Sequence, residues 1–440
     1  MSTDPRRIMT DAPMSALQII VVVVTVCLNA LDGFDVMSIS FAAPGIATEW
    51  GIDRGALGIV LSMELVGMAV GSIVLGRIAD RIGRRHTMLG CLFFMAIGMY
   101  MASTVNDVVS LSLWRVFTGL GIGGLLATTN AVAAEFSSTR HRNLNVALMA
   151  MGYPLGAIFG GMAAAHILKD GGDWRGVFHF GAAATAVFIP LTWLLVPESV
   201  SWLTMKQPAG ALQKINATLR RMGHAAIEAL PMLATDASGR REGTETIFSP
   251  RMIRTTLLMA AAYFCHIITF YYLIKWVPKI IVDMGFAASS AAGVLVWANV
   301  GGATGGAVVG LLASRLNLRW VVSVMLVGST IAIMVFGRGW PDLVTLSLVC
   351  ACAGFFTNGT INGLYAIFAQ VFPSHMRASG TGFSIGVGRG GSVLAPVMAG
   401  FLFEAGIGLF PVSILLSMGS LLAVVCLWLI PMPARNESQH

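Results

Sequence analysis

Charge is scarce in this chain. Asp, Glu, Lys and Arg make up 11% of its 440 residues, less than half of the roughly one quarter usual in soluble domains. Too little polar surface exists to coat a water-soluble globule of this length, so lipid must be the solvent for most of the chain. The strictly alternating segments of a membrane barrel are also missing. The apolar runs are continuous, as across 17–31 and 257–270, which leaves helices as the way to satisfy the backbone inside a bilayer. The six cysteines, Cys27, Cys91, Cys265, Cys350, Cys352 and Cys426, all fall in apolar segments. They show neither a disulfide framework nor metal-ligand spacing and read as small buried hydrophobes. No nucleophile–base arrangement, HExxH zinc site or GxxxxGK[ST] phosphate loop occurs. Enzyme catalysis and ATP-driven transport therefore lack support, and no metal or cofactor is expected. No small-residue cleavage site follows the apolar stretch after Met14, so no cleavable signal is expected. The net charge of +7 does not point to nucleic acid, because no basic patch is interleaved with aromatics.

What is present is a series of long apolar segments. About 20 apolar residues cross a bilayer. Twelve spans are predicted near 17–42, 55–77, 86–104, 109–132, 144–169, 176–196, 253–277, 288–314, 320–338, 342–370, 376–403 and 409–431. A polar stretch at 197–251 predicts one or two short surface helices and a linker. The expected fold class is an all-α integral membrane protein of twelve transmembrane helices. The expected parts are a cytoplasmic N-terminal segment at 1–16, a six-helix bundle at 17–196, a cytoplasmic linker at 197–252, a second bundle at 253–431 and a cytoplasmic tail at 432–440.

Basic residues collect on cytoplasmic loops. With the N-terminus inside, 20 of the 28 Lys and Arg lie on cytoplasmic segments. Arg54, Lys169, Arg175, Lys279 and Arg338 lie outside, and Arg115, Lys275 and Arg389 remain in or near the membrane. Both termini are thus expected in the cytoplasm.

The two halves repeat. Gly76-Arg77-Ile78-Ala79-Asp80-Arg81-Ile82-Gly83-Arg84-Arg85 follows the second span, and Gly310-Leu311-Leu312-Ala313-Ser314-Arg315-Leu316-Asn317-Leu318-Arg319 follows the eighth. Gly, Arg and Arg recur at an offset of 234. Glu135 and Arg142 before span five are echoed by Gln370 and Arg377 before span eleven, at an offset of 235. Two six-helix pseudo-repeats rocking about a central site are the architecture of alternating access.

The first of these loops resembles the GxxxDRxGRR motif of the major facilitator superfamily. Arg115-x-x-x-Gly119 resembles that superfamily's helix-four arginine motif. Pro197-Glu198-Ser199-Val200-Ser201-Trp202-Leu203 resembles its PESPRWL element, with departures at Val200 and Ser201. Within the superfamily, Asp32-Gly33-Phe34-Asp35 looks like the DGxD motif of the aromatic acid:proton symporters, the permeases for benzoate, 4-hydroxybenzoate and protocatechuate. The resemblance runs along essentially the whole chain.

A charge near the bilayer centre costs roughly 2.5–3.5 kcal/mol even on lenient scales, so it needs a reason. Asp32 and Asp35 share one helix face. A rise of about 1.5 Å per residue brings Arg115 on span four to a similar depth. These three are the expected proton-coupling residues, the blander reading being a static ion pair. Arg389, close to mid-membrane on span eleven, offers a bidentate fork for a carboxylate and is the expected substrate-anion site. Alternatively it pairs with an acid such as Glu64. The offset of 234 carries Asp32 to His266 and Asp35 to Thr269, so the acidic pair exists only in the first half. His266 either binds substrate or is hydrogen-bonded to backbone. Lys275 is expected to snorkel to the interface; otherwise it is a second cation for a dicarboxylate. Tyr271, Tyr272, Trp276, Trp297 and Tyr365 either stack on an aromatic ring or pack between helices. Asn299, Asn358 and Asn362 either line the cavity or join helices.

Gly76, Asp80, Arg81, Gly83, Arg84 and Arg85 are expected to gate, with Glu135, Arg140, Arg142 and Arg377 in the matching loops. Gly152, Gly156 and Gly160 repeat every four residues on span five and predict close helix packing around Pro154.

These readings give a proton-coupled symporter of a bacterial-type inner membrane, functional as a monomer. Its partners are a small organic anion, most simply an aromatic carboxylate, together with protons and the lipid bilayer. A muconate-like dicarboxylate transporter, an efflux antiporter and a non-transporting membrane sensor are the rivals.

Overall fold

The computed structural model describes residues 4–231, 246–313, 315–373 and 376–431. The expected tail at 432–440, and the 232–245 part of the expected linker, lie outside the described residues.

Among the described residues, twelve long helices follow one another. They are α1 (Ala16–Trp50), α2 (Arg54–Ile82), α3 (Arg84–Ala102), α4 (Val108–Glu135), α5 (Arg142–Ile167) and α6 (Arg175–Leu195), then α7 (Ile253–Asp283), α8 (Ala288–Ala313), α9 (Leu318–Gly337), α10 (Leu343–Val371), α11 (Arg377–Glu404) and α12 (Leu409–Leu429). Among the described residues, eleven helices are long and apolar enough to cross a membrane by length and composition. The remaining one of the twelve is α3, 19 residues long and opening on Arg84, Arg85 and His86. Short helices at Val200–Lys206 and Ala211–Arg221 occupy the polar stretch.

Helix ends match the predicted spans within a few residues except at two places. α1 continues beyond 42 to Trp50, and α7 continues beyond 277 to Asp283. Each runs through a proline, Pro44 and Pro278, at the repeat offset of 234. The predicted spans stop short of both prolines. Yet Ala42, Ala43, Ile46, Val277 and Ile281 are fully buried, and tertiary packing carries the helix past the single hydrogen bond that proline removes.

The duplication is built into the packing. A Cβ on Gly67 or Gly71 of α2 would lie 2.1 or 2.2 Å from the carbonyl oxygens of Val116 and Leu120 on α4. A Cβ on Gly301 or Gly305 of α8 would lie 1.8 or 2.0 Å from those of Ala351 and Phe355 on α10. Adding 234 to the first member and 235 to the second turns one set into the other. Backbone meets backbone at these crossings, and a side chain larger than hydrogen does not fit. The helix caps repeat too. Asp107 accepts from the Ser110 N–H at 2.8 Å to start α4, and Asp342 accepts from the Thr345 N–H at 2.7 Å to start α10; short polar acceptors of this kind hold the first turn.

The chain forms two compact units. One is Met1–Ser38, Val66–Gly160 and Arg175–Arg241. Within it Gly152 and Gly156 of α5 lie against the Val26 and Ala30 carbonyls of α1, and Gly160 lies against the Phe34 ring, as the four-residue spacing predicts. The other is Ile39–Leu65, Gly161–Trp174 and Glu242–His440. Here the first turns of α2 pack on α11. Ser62 Oγ donates to the Val393 carbonyl at 2.9 Å, and Cβ atoms on Gly58 and Gly400 would each lie 2.5 Å from a carbonyl oxygen, of Pro396 and Arg54 respectively. Trp276 of α7 donates to the Pro396 carbonyl at 3.1 Å.

Candidate functional site

In the first unit, α1 and α4 build a buried charged cluster. Asp32, Asp35 and Arg115 are 1%, 0% and 0% exposed. Arg115 donates through Nη2 to the Asp35 main-chain oxygen at 3.1 Å and through Nη1 to Met99 Sδ at 3.1 Å. Its guanidinium carbon lies 5.3 Å from the centre of the Phe178 ring, a cation–π distance. The local sequence makes this possible. A Cβ on Gly33, between the two acids, would lie 2.0 Å from the Tyr153 carbonyl oxygen, so the α5 backbone passes directly against the motif. A Cβ on Gly181 of α6 would lie 3.3 Å from Asp35 Oδ1, so the α6 backbone comes close to that carboxylate at this glycine. Carboxylates buried away from water respond strongly to any change in neighbouring charge.

In the second unit, Lys275 does not snorkel. It is fully buried, and its Nζ lies 3.5 Å from Oε2 of an equally buried Glu64. The reason is the length of α7. Because the helix runs to Asp283, Lys275 is eight residues, about 12 Å, inside its end. Glu64 is ten residues, about 15 Å, from the start of α2 at Arg54. Glu64 therefore pairs with Lys275, where the sequence left it as a possible partner of Arg389. Arg389 is half-buried on α11. The Gly388 backbone beside it is pressed on the Tyr263 ring, to which a Cβ would come within 2.2 Å. Tyr263 shares a hydrogen bond of 3.0 Å with the Tyr365 hydroxyl, and their rings stack with centroids 5.9 Å apart. Tyr263 was not singled out in the sequence. Its one signal was its place on α7, three residues before His266.

His266 is buried and bonded on both ring nitrogens, to Ser420 Oγ and to the Thr357 carbonyl, each at 2.9 Å. This is the backbone-bonded arrangement given as its alternative. Tyr271 is buried. Tyr272 is buried and bonded to Ser413 at 2.7 Å. Asn299 donates to the Leu295 carbonyl one turn back. The amide nitrogens of Asn358 and Asn362 lie against Gly302 and Gly306 of α8, the helix-joining arrangement. Trp297 and Tyr365 are exposed, at 52% and 41%.

At the other end of the first unit's helices the loop motif forms a cluster. Arg84 bridges Asp80 at 2.5 Å and Glu135 at 3.4 Å. The hub is Glu198, which sequence reading placed only inside a motif. Its carboxylate accepts from the N–H groups of Arg84 at 2.7 Å and Arg85 at 3.2 Å, and His86 Nδ1 lies 3.3 Å away. An anion thus sits on the N-terminus of α3, where the helix dipole favours it. Gly83, at φ +107°, makes the turn that exposes those N–H groups. A Cβ there would lie 2.3 Å from Glu198. Arg85 donates to the Trp193 carbonyl, and the Trp202 indole donates to the Asp80 carbonyl. Gly76 packs near Ala127. Arg81, Arg140, Arg142 and Arg377 stand exposed, the last two as the first residues of α5 and α11.

A family model described as Major Facilitator Superfamily matches residues 25–315. The chain is 28% identical over 400 residues to a gallate transporter of Pseudomonas putida, covering 91% of this chain and 88% of that protein. It is 28% identical over 398 residues to a 4-hydroxybenzoate transporter of Acinetobacter baylyi, covering 89% and 86%. It is also 28% identical over 436 residues to a 3-(3-hydroxy-phenyl)propionate transporter of Escherichia coli, covering 98% of each. Among solved structures, the inward open xylose transporter XylE of E. coli superposes with a TM-score of 0.72 at 15% identity, over 95% of this chain and 97% of that one. This last likeness is one of fold: two pseudo-symmetric bundles of helices.

Proposed function

The chain belongs to the Major Facilitator Superfamily, and from that premise we propose that it is a proton-coupled symporter that imports a small aromatic carboxylate by alternating access. It is a transporter, not an enzyme. The observation that carries the reading is the buried cluster of Asp32, Asp35 and Arg115, in a chain similar along its length to transporters of aromatic acids. Asp35 and Asp32 bind and release the proton. Arg115 changes how firmly they hold it as the helices move. Arg389, whose flanking residues pack on aromatic rings, takes the substrate carboxylate, and Tyr263, Tyr271 and Tyr365 supply the ring surface. The bundles at 17–196 and 253–431 move in alternating access. Arg84, Asp80, Glu135 and Glu198 hold the end that closes toward the cytoplasm. Both termini lie in the cytoplasm of a bacterial-type inner membrane, supported by the bias of basic residues, and the monomer is the working unit.

The energetics favour coupling. A monoanion entering a negative-inside cell works against about 2.3 kcal/mol per 100 mV. One accompanying proton removes that term. The test is uptake into proteoliposomes with an imposed inward proton gradient, using radiolabelled benzoate, 4-hydroxybenzoate, protocatechuate, muconate and a sugar. Accumulation of an aromatic acid that collapses with a protonophore is the expected result. Accumulation of muconate or the sugar alone would overturn it.

A further inference from the structure

Coupling at Asp35 and anion binding at Arg389 leave one buried pair without a task. Lys275 and Glu64 are both 0% exposed and 3.5 Å apart. Such a pair adds little to stability compared with apolar residues of the same volume, whereas a single stranded member is strongly unfavourable. Its position is informative. It ties the outer part of α2 to α7 inside the unit that also holds α11. Alternating access requires those outer segments to part from α7 and α11 each time the outside opens. Parting would break this ion pair in a dry interior, which is costly.

One exchange opens the pair and keeps the site neutral. We propose that Glu64 and Lys275 form an outer loading site, in which an incoming organic carboxylate replaces Glu64 on the Lys275 ammonium while Glu64 takes up a proton. The balance closes. The ion pair, one proton and one carboxylate anion give a neutral Glu64 and a Lys275–carboxylate pair, and the single bond formed is O–H on Glu64. The charge of the site is unchanged, so one proton enters with each monoanion. The inference rests on the symport reading above and deepens it by naming where proton and anion are loaded together.

Tyr271, buried on α7, lies one turn from Lys275. The other charged groups nearby are engaged at the rim. Arg54 pairs with Asp283 at 3.0 Å, Lys279 also pairs with Asp283, and Glu49 accepts from Trp174 at 2.7 Å. Glu404 of α11 lies against Gly55. His166, Lys169, Asp170 and Asp173 sit at or beyond the end of α5.

The test compares the full chain with Glu64→Gln, Lys275→Met and the double variant in proteoliposomes. Two quantities are read for radiolabelled 4-hydroxybenzoate: proton-driven accumulation, and exchange at equal concentrations without a gradient. Glu64→Gln stands in for the protonated acid. It is expected to lose at least tenfold in accumulation and keep exchange. Lys275→Met is expected to lose both. The double variant removes both charges of the pair, and its recovery as monodisperse protein in detergent is checked first; it is expected to exchange as poorly as Lys275→Met. Recovery of accumulation in the double variant would make the pair a static lock and overturn the proposal. So would wild-type accumulation, or loss of exchange, in Glu64→Gln. A wild-type chain that accumulates none of the aromatic acids overturns the symport reading and takes this inference with it.

Discussion

Arg115 on α4 holds the main-chain oxygen of Asp35 on α1 at 3.1 Å, and the same guanidinium reaches Met99 Sδ and lies over Phe178. Three contacts in three directions need a flat, forked cation. A lysine ammonium is a compact point charge and cannot make all three. Arg115→Lys is therefore expected to lower the initial rate of proton-driven uptake at least tenfold. The amount of monodisperse protein recovered in detergent should stay near that of the wild type, because a positive charge is retained. Unchanged uptake would show that charge alone, not the fork, matters at this position.

Asp35 and Asp32 are separable by assay. If a carboxylate carries the coupled proton, replacing it with an amide removes accumulation but not the ability to carry substrate. Asp35→Asn is expected to reduce gradient-driven accumulation to simple equilibration while leaving exchange of labelled for unlabelled acid within about twofold. Asp32→Asn, made in parallel, shows whether both carboxylates titrate. Full accumulation in either variant removes that residue from the coupling step.

Much of this arrangement was legible because membrane burial makes charge conspicuous. Asp32, Asp35 and Arg115 stand out against apolar neighbours, and a fixed rise per residue is enough to set them at one depth. The repeat was legible for a similar reason: an offset of 234 or 235 carries Gly67 to Gly301 and Asp107 to Asp342. The misplacement of Lys275 came from one local judgement. A seventh span ending near 277 sets Lys275 two residues from its end, and a lysine at an end belongs at the interface. The helix continues because the residues around Pro278 are buried, a tertiary fact that no window of sequence contains. The role of Glu198 was hidden by distance in sequence. It caps α3 from 114 residues away, and only the fold brings the two together.

Arg389→Lys tests the anion site. Loss of a bidentate contact in favour of a single one is worth about a factor of ten in affinity. The half-saturating concentration of 4-hydroxybenzoate for uptake is expected to rise by about that factor, with the maximal rate reduced far less. A change confined to the maximal rate would move Arg389 from binding to the conformational step.

Glu198 offers a stability test outside the lipid-buried sites. Its carboxylate accepts two N–H groups at the start of α3 and is 7% exposed. Charge-assisted bonds of this kind, together with the helix dipole, contribute about 1–3 kcal/mol. Glu198→Gln keeps the shape and removes the charge. It is expected to lower the thermal midpoint of the detergent-solubilised protein by a few degrees, and Glu198→Ala by more. Equal midpoints for Gln and wild type would assign the stabilisation to hydrogen bonding without charge.

The paired caps carry a pH dependence whose sign follows from their geometry. The backbone N–H of Ser110 bonds the charged form of Asp107 and holds its carboxyl below the usual value; Thr345 does the same for Asp342. A group whose folded pKa is depressed contributes stability that is fully present above its unfolded pKa, near 3.9, and is lost as pH falls through the folded value. Asp107→Ala and Asp342→Ala should therefore each lower the thermal midpoint by a constant amount from pH 8 to about pH 5. Below that the gap to wild type should close, because the wild-type caps are being protonated. The two variants should behave alike, since α4 and α10 begin with the same turn in the two halves. A gap that held steady to pH 3 would place the effect in the shape of the side chain, not in its charge.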